Sequence, residues 1–574
     1  MKQRVKNISL LFGNLANAPL QRIDAWILIA FTALITYQPF YLMARLDVVE
    51  WGIYLPGVQA FSNGQMPYRD FFHLRGPLEI VLPGLLMKMF GQTIAVYSTY
   101  FYIGTLLTLI FLVLIGRQIY RTRLIFYLMT FMVVAKTFPR VVFYLWGGIR
   151  YGWGILALLF AIISFNKRRP VHMILAGIST GLAFLTSAEI GICAITGITA
   201  GIIFSAWAGL SQPAEVRKNF LYYGAGALII MGPFLSIMLT THSLNAYLNS
   251  LLTVATRMIK VFPDSLLADH PETIPEIMLT FLNPCIGDFK YLTLGYCYLF
   301  LIGYFIFKIC RRELTTRHIA IVAIAFYGFL LYALSFRKIG AAQFEMAMQP
   351  EKLLLFFLCE EAYVFLRDKL RIYCRAKPRW PAQKMTVLKI LGISFLIFAF
   401  IISTIIPAFV RYNKRFPAAQ LLFGQSLAEV QPLKGEPMIR ITSGKAAGLT
   451  VPLYQAQDIA MLTEFFNGAT KPDEAVLMFP EYGAFNFIIN RPFVGRFPNV
   501  TFSWMNDRWH QEILAELKQN PPRYATMPKK LEATIKCYLL KKENFLKYQE
   551  VRNFIEEHYV PEISTPTQII YRHK

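Results

Sequence analysis

The chain alternates long apolar stretches with short polar connections over most of residues 23 to 410. An apolar stretch of about 20 residues forms a helix long enough to cross the roughly 30 Å of hydrocarbon in a bilayer. We therefore predict a polytopic α-helical membrane protein with about 11 transmembrane helices. The predicted spans are 23–43, 94–116, 124–139, 150–165, 171–188, 190–209, 220–240, 291–308, 318–336, 351–366 and 389–410.

Lysine and arginine concentrate in alternate connections between these spans, where acidic residues are few. Short loops rich in Lys and Arg stay on the cytoplasmic side of a membrane. We expect a cytoplasmic N-terminus and, because the number of spans is odd, a C-terminal segment on the outer side. The first span lacks a small-residue cleavage motif, so we expect it to be a retained anchor. The positively charged connections are 2–22, 117–123, 167–169, 217–218, 308–317 and 367–389.

The composition agrees with a membrane protein. Hydrophobic residues make up 55% and charged residues 16%, and the mean hydropathy is +0.44, whereas a soluble domain carries about 25% charged residues. A net charge of +24 would favour nucleic acid as the partner of a soluble protein. Here the charges lie in membrane loops and no basic soluble domain with interleaved aromatic residues carries them, so we predict no nucleic-acid partner.

The pattern changes after Arg411, where short strand-like and helical runs replace the long apolar stretches. Strand-like runs lie at 438–442, 475–479, 524–527 and 567–571, and helical runs lie at 457–466, 507–519 and 553–558. This order predicts a small α/β domain. The segment has no GxGxxG, P-loop or HExxH motif, so we expect it to bind or to shape a site rather than to catalyse alone. The chain divides into a transmembrane domain at 1–410 and an outer α/β domain at 411–574.

The first outer loop, residues 44–93, is longer than a simple connection needs. Apolar residues recur in it at helical intervals over 51–61 and 77–90, which predicts two interfacial helices lying along the membrane. The polar turn at 63–77 contains glycines and prolines that permit sharp bends. Because loops of this kind often carry function, candidate chemistry is expected here.

Three carboxylates of this loop are the candidate catalytic residues, namely Asp47, Glu50 and Asp70. Asp47 and Glu50 are three positions apart, so on a helix both face the same way. Such a carboxylate can take a proton from an acceptor hydroxyl while Arg or Lys stabilises a phosphate leaving group. The alternative is that these are ordinary interfacial charges that pair with their neighbours. Asp70 can equally hold its turn together by capping a backbone amide.

The candidate substrate-binding residues are aromatic and charged side chains predicted to lie near the outer membrane surface. Cations at that level suit a lipid headgroup with a single phosphate, although anchoring of the helices in the interface is an alternative role. Glu189 is predicted to be an unpaired acid between two apolar runs, and an ionisable residue at such a depth is a functional candidate by default. The set is Tyr54, Tyr68, Arg69, His73, Arg75, Arg150, Glu189, Arg337 and Lys338.

Cofactor signals are weak in this sequence. Asp47, Glu50 and His73 offer ligand atoms for a divalent metal, but no ligand spacing requires one. We therefore predict no metal and no other cofactor.

Several motifs of the first loop occur together in one order. An acidic residue after the first span and an amphipathic helix precede Gly-x-x-Pro-Tyr-x-Asp-Phe at 64–71, Gly-Pro-Leu at 76–78, a second apolar helix and Phe-Gly at 90–91. This pattern resembles the bacterial GT-C superfamily of membrane glycosyltransferases, which are relatives of the protein mannosyltransferases and of the lipid A aminoarabinose transferase. Further agreement lies at 148–152, 176–177, 181–183, 189–191 and 472–477.

The resemblance implies an inverting glycosyltransferase of the bacterial inner membrane with a periplasmic C-terminal domain. The donor it implies is a polyprenyl-phosphate sugar, and the acceptor is a periplasmic glycan, lipid or protein. In such enzymes a first-loop aspartate is the candidate base. The adjacent Asp-Glu pair that is usual in the family is not intact here, because Asp47 lies three residues before Glu50. We rank Asp47 first, Glu50 second and Asp70 third.

Two other functions stay open at this point. The many spans also suit a transporter or lipid flippase, although the spans lack paired Gly- or Pro-broken segments in two equivalent halves. The altered acidic pair is also compatible with a catalytically inactive relative that acts as an assembly partner.

Overall fold

The structure is a computed structural model that describes residues 19–37, 46–137, 148–261, 289–335, 347–376, 437–498 and 505–574. The described residues between 19 and 376 form helices and the connections between them. The helices of this part are α1 (Arg22–Thr36), α2 (Glu50–Ser62), α3 (Leu78–Phe90), α4 (Ile94–Ile119), α5 (Arg123–Thr137), α6 (Gly148–Lys167), α7 (Pro170–Thr186), α8 (Ala188–Trp207), α9 (Pro213–Thr240), α10 (Leu244–Val261), α11 (Phe289–Cys310), α12 (Thr316–Ser335) and α13 (Gln349–Ala376).

The helices that are long and apolar enough to cross a membrane lie in this part. Among the described residues five meet both conditions, and three shorter apolar helices accompany them. The chain is therefore a multi-pass membrane protein. The predicted span at 389–410 lies outside the described residues, and the total of 11 stays a prediction. The five are Ile94–Ile119, Ile149–Lys167, Ala188–Trp207, Pro213–Thr240 and Thr316–Leu334.

The apolar helices pack into one bundle with a continuous core. α6 contacts α4 and α7, α7 contacts α9, and α8 contacts α12. Buried aliphatic and aromatic side chains of these helices form a single cluster, whereas α9 turns much of its apolar surface outward. An outward apolar surface of this kind is what a bilayer covers.

The two helices predicted in the first loop form as α2 and α3, and they pack against each other. Most of α2 is buried, because it lies between α3 and the C-terminal domain. At Gly52 an added Cβ would lie 2.9 Å from the backbone nitrogen of Gly483, so only glycine lets the two backbones approach so closely. The Phe72 N–H donates to the Arg496 carbonyl oxygen at 2.7 Å. The first loop and the C-terminal domain consequently share one hydrophobic core.

The C-terminal domain has the α/β character predicted from the sequence. All the strand-like and helical runs expected here overlap observed elements. The elements are β1 (Met438–Arg440), β2 (Thr450–Pro452), α14 (Leu453–Ala469), β3 (Val476–Met478), α15 (Ala484–Ile489), α16 (Asp507–Gln519), β4 (Tyr524–Pro528), α17 (Ala533–Tyr538), α18 (Lys542–His558), β5 (Tyr559–Ser564) and β6 (Gln568–His573). The main sheet has the strand order β3-β4-β6-β5, with β3 and β4 parallel and the other neighbours antiparallel, while β1 and β2 form a separate antiparallel pair.

Candidate active site

The segment between α2 and α3 lies directly against the end of α7. An added Cβ at Gly76 would collide with the backbone oxygen of Leu185, so no larger residue fits without movement of the backbone. The Tyr68 hydroxyl donates to the carbonyl oxygen of Arg75, which fixes the residue before that glycine. This contact brings the side chain of Arg75 towards the bundle, where it meets charged residues of α6 and α8.

Four charged side chains meet at this junction. The Arg75 Nη1 atom lies 3.5 Å from Glu79 Oε1, and the Arg150 Nε atom lies 3.9 Å from the same oxygen. The Arg150 Nη2 group also donates to Glu189 Oε1, and the Ser187 hydroxyl donates to that oxygen at 3.3 Å. Only 4% of the Arg150 side chain is exposed. The two positive and two negative charges balance. A buried charge without a partner would strongly destabilise the fold.

Glu189 was predicted to be an unpaired acid, but in the structure it forms an ion pair. It lies in the first turn of α8, directly after the tight turn from α7, and pairs with Arg150 from α6. The two residues are 39 positions apart, so the pairing depends on helix packing and no local pattern indicates it. Arg150 opens α6 close to the predicted position, and it is already held by carboxylates from two other helices.

Aromatic side chains form one wall beside the charged group. The guanidinium carbon of Arg75 lies 5.7 Å from the centre of the Tyr54 ring, close enough for a cation–π interaction. The His73 ring lies between Tyr54 and Tyr68, with centroid distances of 6.1 and 6.3 Å. Burial, together with the positive charge of Arg75, lowers the pKa of His73 from 6.5 to about 3. His73 is therefore neutral near pH 7, and its buried Nε2 atom has no hydrogen-bond partner among the described residues.

A group of acidic residues lies next to this wall, at the start of α2. The Glu50 backbone N–H donates to Asp47 Oδ1 at 3.0 Å, so Asp47 caps the first turn of the helix. Burial raises the pKa of Asp47, and hydrogen bonds from backbone amides partly oppose this shift. Burial raises the pKa of Glu50 well above its usual value, as do the charges of Asp47 and Glu481, while Arg75 lowers it. A carboxyl group shifted in this direction has a pKa better matched to proton transfer near neutral pH.

Asp70 and Arg69 lie in the exposed turn between the two helices. The Met66 N–H donates to Asp70 Oδ2 at 2.7 Å, which is the capping role considered for this residue. The Arg69 guanidinium donates to both carboxylate oxygens and holds the pKa of Asp70 below its usual value. These contacts give Asp70 a structural role in the turn. Arg337 and Lys338, the remaining predicted cations, lie outside the described residues.

Two acidic residues at the site are absent from the predicted set. Glu79 bridges Arg75 and Arg150, and burial raises its pKa although the two guanidinium groups lower it. Its position in the first turn of α3, directly after the Gly-Pro-Leu motif, was a usable sequence signal. Glu481 belongs to the C-terminal domain, where no motif distinguishes it.

Within the described ranges, no group of three or more His, Cys, Asp or Glu side chains is arranged to hold a metal ion.

The comparisons with known proteins found matches among solved structures. No protein-family model and no curated protein matches the sequence. The structure is similar to the apo crystal structure of the oligosaccharyltransferase of Archaeoglobus fulgidus, with a TM-score of 0.51 and 14% identity over 88% of this chain and 70% of that chain. Two structures of ArnT from Cupriavidus metallidurans also match with TM-scores of 0.49 and 11% identity. One contains undecaprenyl phosphate and covers 95% of this chain and 97% of ArnT, and the apo form covers 96% and 98%.

The similarity to the archaeal oligosaccharyltransferase concerns the fold, since so little of the sequence is identical. It agrees with the first-loop pattern, with the two helices α2 and α3, and with the small C-terminal sheet. The chain has a GT-C-like fold, as its first loop predicted.

Proposed function

We propose that this protein is an inverting membrane glycosyltransferase that uses a polyprenyl-phosphate sugar as donor and acts on an acceptor outside the cytoplasm. The observation that carries the proposal is the buried group of Arg75, Glu79, Arg150 and Glu189 beside the acids of α2, in a chain with a GT-C-like fold. The site lies where the first loop meets the end of the bundle, with the C-terminal domain packed against α2.

Arg75 and Arg150 are the proposed phosphate-binding residues. Arg75 lies 3.5 Å from Glu79, and Arg150 donates to Glu189 through Nη2 while its Nε atom lies 3.9 Å from Glu79. Each guanidinium has five N–H donors, so both groups can turn some of them to phosphate oxygens. A leaving phosphate gains negative charge as the bond to the sugar breaks, and fixed cations stabilise that charge.

Glu50 is the proposed general base, ahead of Asp47. Both carboxyl groups have a raised pKa, but the shift of Glu50 is the larger one, and Asp47 Oδ1 already accepts the N-terminal amide of α2. The Glu50 carboxylate takes the proton of an acceptor hydroxyl, whose oxygen attacks the anomeric carbon. The bond from that carbon to the phosphate oxygen breaks at the same time, and the phosphate leaves with the electron pair. His73 is neutral, its Nε2 atom has no hydrogen-bond partner among the described residues, and it is the proposed hydrogen-bonding partner of a sugar hydroxyl.

Transfer of label from a radiolabelled polyprenyl-phosphate sugar pool, in membranes that contain the protein, tests this proposal. Glu50→Gln should lower the rate about 100-fold or more, since general-base catalysis contributes at least that much. Asp70→Asn is the matched control, because it alters an acid of the same loop that is held in the exposed turn. Its rate should stay within about twofold of wild type.

Two other outcomes of the transfer assay would change the proposal. Loss of transfer with Asp47→Asn but not with Glu50→Gln moves the base to Asp47. No label transfer by wild type, or equal transfer by every variant, contradicts the proposal and favours a transporter or an assembly partner.

A further inference from the structure

A second polar site lies at the other end of the helical bundle. A cavity of about 270 Å³, open to the surface, is lined by the last turn of α6, the first turns of α9 and α12, and the connections beside them. Ser164 lines this cavity, and Arg150 of the candidate active site belongs to the same helix. The 14 positions between them span about 21 Å of α-helix. The cavity is therefore separate from the proposed catalytic site.

The ionic side chains of this cavity leave one positive charge in excess. Arg168 and Lys218 line it together with Glu215. The Arg168 Nε atom lies 3.4 Å from Glu215 Oε1. No described residue forms an ion pair with Lys218, so its ammonium group is available to an anion.

Neutral hydrogen-bonding groups surround these charges. Ser211, Asn219, Tyr222 and Thr316 also line the cavity, and each can donate a hydrogen bond. The oxygens of a phosphodiester only accept hydrogen bonds, so a donor-rich cavity with excess positive charge fits such a group.

The apolar surface of α9 starts beside the cavity. Tyr222 of α9 lines the cavity, while the neighbouring Leu221 is 61% exposed and Leu228 further along the helix is 67% exposed. α9 is long and apolar enough to cross a membrane, so acyl chains would cover this surface. A lipid with a phosphate headgroup and two acyl chains would occupy both the cavity and the apolar surface of α9.

We propose that this cavity binds the headgroup of an anionic phospholipid whose acyl chains lie along α9. Basic pockets between transmembrane helices are suited to such headgroups, and each Lys or Arg near an anionic membrane surface contributes measurably to the attraction. The positive charge of this end of the bundle is also the basis for its expected cytoplasmic orientation. The lipid would hold α6, α9 and α12 together at that end, without a part in sugar transfer.

Native mass spectrometry of the purified full-length protein tests the proposal with phosphatidylglycerol and, as a neutral-headgroup control, phosphatidylcholine. The double variant Arg168→Asn/Lys218→Ala should bind phosphatidylglycerol about 10- to 30-fold more weakly than wild type. Asparagine suits position 168 because the backbone φ there is 52°. Glu215→Gln removes the competing carboxylate and should strengthen binding, a direction that misfolding cannot produce.

Arg217→Ala is the matched control, because Arg217 is an exposed neighbour of Lys218 that does not line the cavity. Its affinity for phosphatidylglycerol should equal that of wild type. Equal weakening by Arg217→Ala would indicate general surface attraction and overturn the proposal. Equal binding of phosphatidylcholine, or full competition by soluble glycerol phosphate at the same concentration, would overturn it as well.

Discussion

The buried imidazole of His73 makes a quantitative prediction about acid stability. Its pKa is lowered from 6.5 to about 3, because burial disfavours the charged form and the Arg75 charge repels it. A group whose pKa is depressed on folding contributes stability above its unfolded pKa and loses it as the pH falls towards the folded pKa. The contribution is therefore complete above pH 6.5 and is lost progressively between pH 6.5 and pH 3.

The size of this effect follows from the same shift. Each pKa unit corresponds to about 1.4 kcal/mol, so the full loss near pH 3 approaches about 5 kcal/mol. At pH 5 His73 binds a proton in the unfolded chain but not in the folded chain, so the free energy of unfolding is about 2 kcal/mol lower than at neutral pH. If the whole chain unfolds as one unit, this lowers the melting temperature by about 2 °C, and by more if a smaller part unfolds alone.

The assay compares His73→Phe with wild type in mild detergent at pH 7.5 and pH 5. Phenylalanine keeps an aromatic ring against Tyr54 and Tyr68 but cannot take up a proton. Other titrating groups are common to both proteins, so their effects cancel in the difference. His242→Asn, at an exposed histidine with a backbone φ of 53°, is the control and should respond to pH as wild type does. An equal loss of melting temperature in wild type and His73→Phe would refute a buried neutral His73.

Three further substitutions test the site from different directions. Gly76→Ala should lower the free energy of unfolding by about 1–3 kcal/mol and reduce sugar transfer, because the new Cβ meets a backbone oxygen at the end of α7. Gly224 has open space around it, so Gly224→Ala should change neither quantity in the same thermal and transfer assays. Arg150→Met removes the cation shared by Glu79 and Glu189 and should lower the free energy of unfolding, measured with denaturant, by about 3–5 kcal/mol. The double variant Arg150→Met/Glu189→Gln should recover part of this stability, and no recovery would contradict the observed Arg150–Glu189 pair. Asp70→Asn should change stability by at most about 1 kcal/mol, since the amide oxygen can still accept the backbone N–H of the turn, and a larger loss would show that its charge matters more.

Much of the fold could be predicted from local sequence pattern. The apolar runs became helices such as α4 and α8, because a membrane-length apolar segment has no other way to satisfy its backbone. The helical spacing in the first loop predicted α2 and α3. The strands β2 and β5 were missed. No turn separates β2 from α14 or α18 from β5, and β5 also contains Pro561, so neither strand stands out from the adjoining helix in the sequence.

The candidate site was predictable only in its local part. Glu50, His73 and Arg75 lie within one loop, so their sequence neighbourhood indicates a shared location. The partner of Arg150 could not be found in this way, because Glu189 comes to it through the packing of α6 and α8. Burial was equally hidden, since the charges of α2 resemble interfacial charges until the C-terminal domain is seen to pack against that helix.

The contacts of α2 give the C-terminal domain a direct influence on the proposed chemistry. One side of this helix packs on α15, at a distance that only glycine at position 52 allows. Glu50 on the same helix responds to Glu481 of the C-terminal domain, which raises its pKa, and to Arg75 of the first loop, which lowers it. The proton affinity of the proposed base therefore depends on how the two parts of the chain are docked. A domain without catalytic motifs of its own can in this way adjust the reaction, because its position decides how strongly its carboxylate opposes the nearby arginine.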